Sequence, residues 1–117
     1  MPKLVHSRDG KVIKEYDLKP GVAQVGRRPD CEIRLDDVTA SGHHAQVITR
    51  PSQYMDGLFD VHIEDKGSTN GTYVNGKRIK RYLMKHGDIA KIGQDEFALV
   101  DEQNRAFERT EVILPEE

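Results

Sequence analysis

Apolar and polar positions alternate in short runs, and each run ends in glycine, proline, asparagine or aspartate. No helical periodicity is sustained. Lys3-Leu4-Val5-His6 and Val12 to Leu18 flank Asp9-Gly10, which predicts a hairpin. Lys19-Pro20-Gly21 turns the chain into Val22-Ala23-Gln24-Val25, and Glu32-Ile33-Arg34-Leu35 alternates cleanly. His44 to Thr49 and Leu58 to Glu64 read as strands joined by a loop over Pro51 to Gly57. Thr72-Tyr73-Val74 and Lys77-Arg78-Ile79 flank Asn75-Gly76, the strongest short hairpin signal. Ile89 to Ile92 and Phe97 to Val100 pair around Gly93-Gln94, and Ala106-Phe107 adds a last strand. About ten short strands at regular spacing predict an antiparallel β-sandwich.

The 117 residues suit one domain, expected over residues 1–101. Residues 102–117 are expected to be a last strand or an acidic tail; from Asp101 onward the chain carries six acids against two arginines. No repeat or low-complexity linker interrupts the pattern. Charged residues make up 32% of the chain, yet the net charge is only -2. That balance excludes a strongly basic nucleic-acid coat, and the sparse aromatics exclude a base-stacking platform. The longest apolar run is Phe97 to Val100, too short to cross a membrane as a helix. Cys31 is the single cysteine, so no internal disulfide forms; the expectation is a reducing, cytoplasmic setting with Cys31 as a small, partly buried residue.

Three loops carry unusual chemistry: Val25-Gly26-Arg27-Arg28, Thr39-Ala40-Ser41-Gly42-His43-His44, and Asp65-Lys66-Gly67-Ser68-Thr69-Asn70-Gly71. Sandwich loops cluster at the two ends, so distant segments can face one ligand. Arg27 offers a planar fork of donors, Ser41 a hydroxyl, and Gly42 an unshielded amide. Gly67, Ser68, Thr69 and Asn70 offer further amides, hydroxyls and a carboxamide. Successive N–H groups in such turns form anion-binding concavities. Several neutral donors and one firm positive charge suit a compact dianion.

Val-Gly-Arg-Arg, Ser-Gly-His-His and Asp-Lys-Gly-Ser-Thr-Asn-Gly-Thr-Tyr-Val-Asn-Gly, followed by Leu83 and Gly87-Asp88, together resemble the forkhead-associated (FHA) domain family. The resemblance runs from about Val22 to Leu99. It implies an eleven-stranded antiparallel β-sandwich of FHA/SMAD-like type, with recognition loops at one end that bind phosphothreonine peptides. Carried over residue by residue, it makes Arg27 and Ser41 phosphate ligands, helped by the Gly42 amide and Thr69. Asn70 would bond the peptide backbone. Gly26, His44 and Asn75 would support the site, and Arg28 is an accessory contact. The partner implied is a phosphothreonine-containing protein, a substrate of a Ser/Thr kinase, in signalling of a bacterial kind. No cofactor, metal, nucleic acid or membrane is expected.

Blander readings exist for each residue. Arg27 and Arg28 are ordinary solvated strand ends if taken alone, with side chains on opposite faces. Ser41 is a common turn hydroxyl, and Asn70 a left-handed turn residue before Gly71. His43-His44 invites a metal, but neighbours in a strand face opposite ways. Lys77, Arg78, Lys80, Arg81 and Lys85 read as a solvated hairpin blunting a sheet edge. Thr110, followed by Ile113, resembles a target that could occupy its own site. Competing functions are a phosphate-independent scaffold or oligomerisation domain, and a hydrolase using Ser41, His44 and Asp65, which lacks a nucleophile-elbow setting.

Overall fold

A computed structural model describes residues 1–103. Its eleven strands are β1 (Lys3–Arg8), β2 (Lys11–Asp17), β3 (Gly21–Gly26), β4 (Ile33–Arg34), β5 (Ala45–Pro51), β6 (Phe59–Asp65), β7 (Thr72–Val74), β8 (Lys77–Ile79), β9 (Arg81–Met84), β10 (Ile89–Ile92) and β11 (Asp95–Val100). They form a six-stranded sheet in the order β2-β1-β11-β10-β7-β8 and a five-stranded sheet in the order β4-β3-β5-β6-β9. The fold is the all-β sandwich expected. β4 alone departs from antiparallel pairing: it lies parallel to the end of β3, with Val25 opposite Ile33.

Alternation fixes the core face. In β11, Asp95, Phe97 and Leu99 point inward, and in β6 Val61 and Ile63 do. Leu4 pairs with Leu99, and Val47 with Ile63, so like faces meet across each sheet. Leu4, Ile92 and Leu99 from the first sheet meet Val25, Val47 and Ile63 from the second in one buried cluster. Each such side chain contributes about 1.5–3 kcal/mol by leaving water. Asp9-Gly10 and Asn75-Gly76 have positive φ at both positions (53° and 77°; 50° and 86°), the geometry that two-residue hairpins require.

β9 was not predicted, because only Met84 of its four residues is buried and no inward alternation marks it. Its strand partner is β6, and the chain crosses from the first sheet to the second at Lys80. The basic stretch therefore occupies two edges, β8 and β9. Residues 104–117, with the expected strand at Ala106-Phe107 and Thr110, lie outside the described residues.

One polar network ties the sheets' ends to the loops. Asp95 is fully buried; its carboxylate receives the Arg8 guanidinium at 3.1 and 3.0 Å and lies 2.8 Å from His6 Nε2. Two residues before it, the β10–β11 turn begins at Gly93. The Gln94 amide there donates to Asp37 Oδ2 at 2.8 Å, which pins the loop that precedes Ser41.

Candidate phosphopeptide site

β3 does not stop pairing at its last residue. His44 N–H donates to the Val25 carbonyl at 2.9 Å, and the Arg27 and Arg28 amides donate to Ser41 and Gly42 carbonyls at 3.2 Å each. Gly26 is buried where the two segments cross. A side chain there would collide with the Gly42 carbonyl and come within 3.0 Å of the His44 nitrogen. A glycine is thus the only residue that lets the Arg27 loop lie against the Ser41 loop.

The third loop joins through His44, which is completely buried. The Ser41 N–H can only donate, so His44 Nδ1 accepts it at 3.0 Å. The proton then sits on Nε2 and is donated to the Gly71 carbonyl at 2.8 Å. One imidazole bridges two loops. Thr69 N–H reaches Ser41 Oγ at 3.4 Å, and Asn70 Nδ2 donates to the Thr39 carbonyl at 2.7 Å. The structure therefore brings Arg27, Arg28, Ser41, Gly42, Thr69 and Asn70 to one rim. Asn75 stands apart from it. Its Nδ2 donates to Asp88 Oδ1 at 2.9 Å and its Oδ1 accepts the Ile89 N–H at 3.0 Å, binding the β7–β8 turn to β10.

The donors divide into spent and unspent. Asp65 Oδ2 takes the Gly67 and Ser68 amides, and Oδ1 takes the Ser68 and Thr72 hydroxyls. Ser68 Oγ also accepts the Gly71 N–H at 3.0 Å. Gly67 and Ser68 thus serve the loop itself, contrary to their expected place among the ligand donors. Burial pushes the Asp65 carboxyl up, but the Ser68 and Thr72 hydroxyls and the Ser68 and Gly67 amides more than offset it, leaving it below the ordinary value. Asn70 does not take the left-handed conformation; Gly71 does, with φ of 88°.

Among the described residues, the Arg27 guanidinium and the Gly42 amide have no protein acceptor. Arg27 is exposed at the rim and Gly42 partly so. Arg28, expected on the opposite face, instead crosses over Gly42, whose added Cβ would lie 3.1 Å from Arg28 Cγ. The chain turns after Gly26, so both arginines and Arg34 line one hollow of about 440 Å³. A second hollow of about 340 Å³ is lined by Asn70, Tyr73, Gly76, Lys91 and Gly93. Arg34, Tyr73 and Lys91 were not singled out from the sequence, since nothing local marks them.

A Ser41-His44-Asp65 catalytic relay is not formed. Both ring nitrogens of His44 are committed to backbone groups, and Asp65 Oδ1 is 4.0 Å from Nε2. Asp37 supports the Ser41 loop from behind. The Gln94 amide, the Thr39 hydroxyl and the Thr39 amide hold its carboxyl at about 2.

The chain is similar to several known proteins. The oxoglutarate dehydrogenase inhibitor of Corynebacterium glutamicum is 42% identical over 91 residues, 78% of this chain and 59% of that protein. The ABC transporter ATP-binding/permease protein Rv1747 of Mycobacterium tuberculosis is 35% identical over 94 residues, 80% of this chain but 10% of that protein. The chain thus spans a tenth of one relative's length and about three-fifths of the other's. Among solved structures, the FhaA FHA domain complexed with the intracellular domain of Rv3910 superposes with a TM-score of 0.71 at 28% identity, covering 85% of this chain and 99% of that one. The FHA domain pattern matches residues 23–93, from β3 to the turn after β10, and on that match the chain belongs to the FHA domain family.

Proposed function

We propose that this domain binds phosphothreonine-bearing segments of partner proteins and so mediates phosphorylation-dependent association. The observation that carries the reading is the rim itself: an unspent guanidinium and an unspent amide beside a serine hydroxyl, on loops locked in place from behind. At neutral pH a phosphate brings about -1.5 to -2 charges and three strong acceptors. Arg27 meets it with a bidentate fork, and Ser41 and Gly42 with neutral donors. Thr69 stands beside Ser41, and Asn70, whose Nδ2 is held by the Thr39 carbonyl, keeps its carboxamide oxygen for a bond to the peptide backbone. Arg28 contributes its charge from above Gly42. One hollow beside Arg27 and Gly42 and another beside Asn70 give the flanking peptide residues somewhere to lie. A similar domain has been crystallised with an intracellular partner domain, which supports a protein ligand.

Calorimetry with phosphothreonine peptides, against their unphosphorylated counterparts, tests the proposal. Phosphorylated peptides bind and unphosphorylated ones do not. Truncating one partner of a close charge pair costs about 2–5 kcal/mol, so Arg27→Ala should weaken binding by roughly 30-fold or more, beyond ready detection for a moderate ligand. Ser41→Ala should do likewise with the fold intact. Equal affinity for both peptide forms refutes the proposal.

A further inference from the structure

Two of the rim loops also meet at a second cluster, beside Arg28 and Gly42. Asp30 and Cys31 follow each other in the loop after β3, and His43 comes from the loop before β5. One ligand atom from each lies within 4.8 Å of the other two. We propose that Asp30, Cys31 and His43 form a binding site for a borderline-soft divalent cation of the zinc class. The reading does not depend on phosphopeptide binding.

Donor chemistry selects the metal. One thiol, one imidazole and one carboxylate suit zinc or cobalt(II). A single carboxylate offers too few oxygens for calcium or magnesium. Geometry is close to what a tetrahedral ion needs. With bonds of about 2.0–2.3 Å, ligand atoms sit roughly 3.3–3.8 Å apart. His43 Nε2 is already 3.1 and 3.2 Å from the two Asp30 oxygens. Cys31 Sγ must close a little further. Its side chain is buried and anchored, whereas Asp30 and His43 are exposed and free to swing towards it. Its present bond, a 3.6 Å contact to the Gly42 carbonyl, is weak and cheaply surrendered.

On binding, the thiol proton leaves to solvent as the metal–sulfur bond forms, and the fourth position stays with water. Arg28, 3.7 Å from Asp30, is a cation beside the cluster; it is itself exposed and can turn away. The sequence hides this site, because the adjacent His43-His44 pair draws attention while His44 is wholly committed to backbone. The true partners of His43 lie twelve and thirteen positions earlier.

Cobalt(II) chloride titrated into the 117-residue protein is the test, read by absorbance. One equivalent should produce thiolate-to-cobalt charge-transfer absorption and the strong visible bands of a tetrahedral ion, and zinc chloride should displace them. Cys31→Ser should remove the charge-transfer band. His43→Gln and Asp30→Asn, both on the surface, should each weaken zinc binding by at least roughly tenfold. His62→Asn, away from the cluster, should leave it unchanged. A titration without charge-transfer absorption overturns the proposal. So does one whose affinity is unaltered by His43→Gln and Asp30→Asn.

Discussion

Replacing His44 with alanine removes the single side chain that joins the Ser41 loop to the Gly71 loop. Three losses follow from the geometry. The Gly71 carbonyl, which is buried, loses its donor, and the Ser41 N–H loses its acceptor. Each orphaned group costs about 1–3 kcal/mol. The ring also leaves a void beside Asp65 and the Gly71 carbonyl, because His44 has no exposed surface through which water could enter. Partial relaxation makes these costs less than additive, and the expected total is about 3–5 kcal/mol. That is a large share of the 5–15 kcal/mol typical of a domain. Urea denaturation of wild type, His44→Ala and His44→Phe separates the parts. Phenylalanine restores volume without either hydrogen bond, so it should recover some stability but remain about 2 kcal/mol or more below wild type. Unchanged m-values would show that the folded states compare directly. Full stability in His44→Phe, or a loss below about 1 kcal/mol in His44→Ala, would refute the bridge as the element that locks the rim.

Gly26→Ala should cost about 1–3 kcal/mol or more, since backbone meets backbone at the Gly42 carbonyl and no side chain can yield; Gly21→Ala cannot serve as the control because its φ of 132° is itself unfavourable, so a surface change such as Lys11→Ala is the reference in thermal melts. Asp37→Asn should cost about 1–2 kcal/mol at pH 7. Its folded-state value of about 2 lies below the ordinary 3.8, so the stabilisation is present above pH 4 and lost as pH falls towards 2; the gap between wild type and Asp37→Asn in denaturation midpoints should close over that range, and a gap independent of pH would contradict the hydrogen-bonded carboxylate. Asn75→Ala should lower stability by about 1–2 kcal/mol without changing peptide affinity, because its carboxamide serves β10 and Asp88 rather than the rim.

Much of this was legible in the residues because much of it is local. Asp9-Gly10 and Asn75-Gly76 announce hairpins by their chemistry, and alternation along β6 and β11 shows which face is buried. Ser41 and His44 stand three apart, and the bond between Ser41 N–H and Nδ1 closes over that spacing. What was missed depends on tertiary approach or on competition for donors. β9 presents Tyr82 and Leu83 to solvent, so its pattern carries no inward stripe. Gly67 and Ser68 looked like ligand donors until Asp65 was seen to take them; the Asp-x-x-Ser spacing is a turn signal that could have revealed this. No local signal foretells the reach from Asp37 to Gln94, fifty-seven residues on.

The most direct measurement is a titration of the isotopically labelled domain with a phosphothreonine peptide, followed amide by amide in nuclear magnetic resonance spectra. The account predicts saturating shifts concentrated at Arg27, Gly42, Thr69 and Asn70, small changes along β1 and β2, and no response to the same peptide without phosphate. Shifts centred on the β5–β6 loop, at the end of β5 away from the rim, or an identical response to the unphosphorylated peptide, would contradict it.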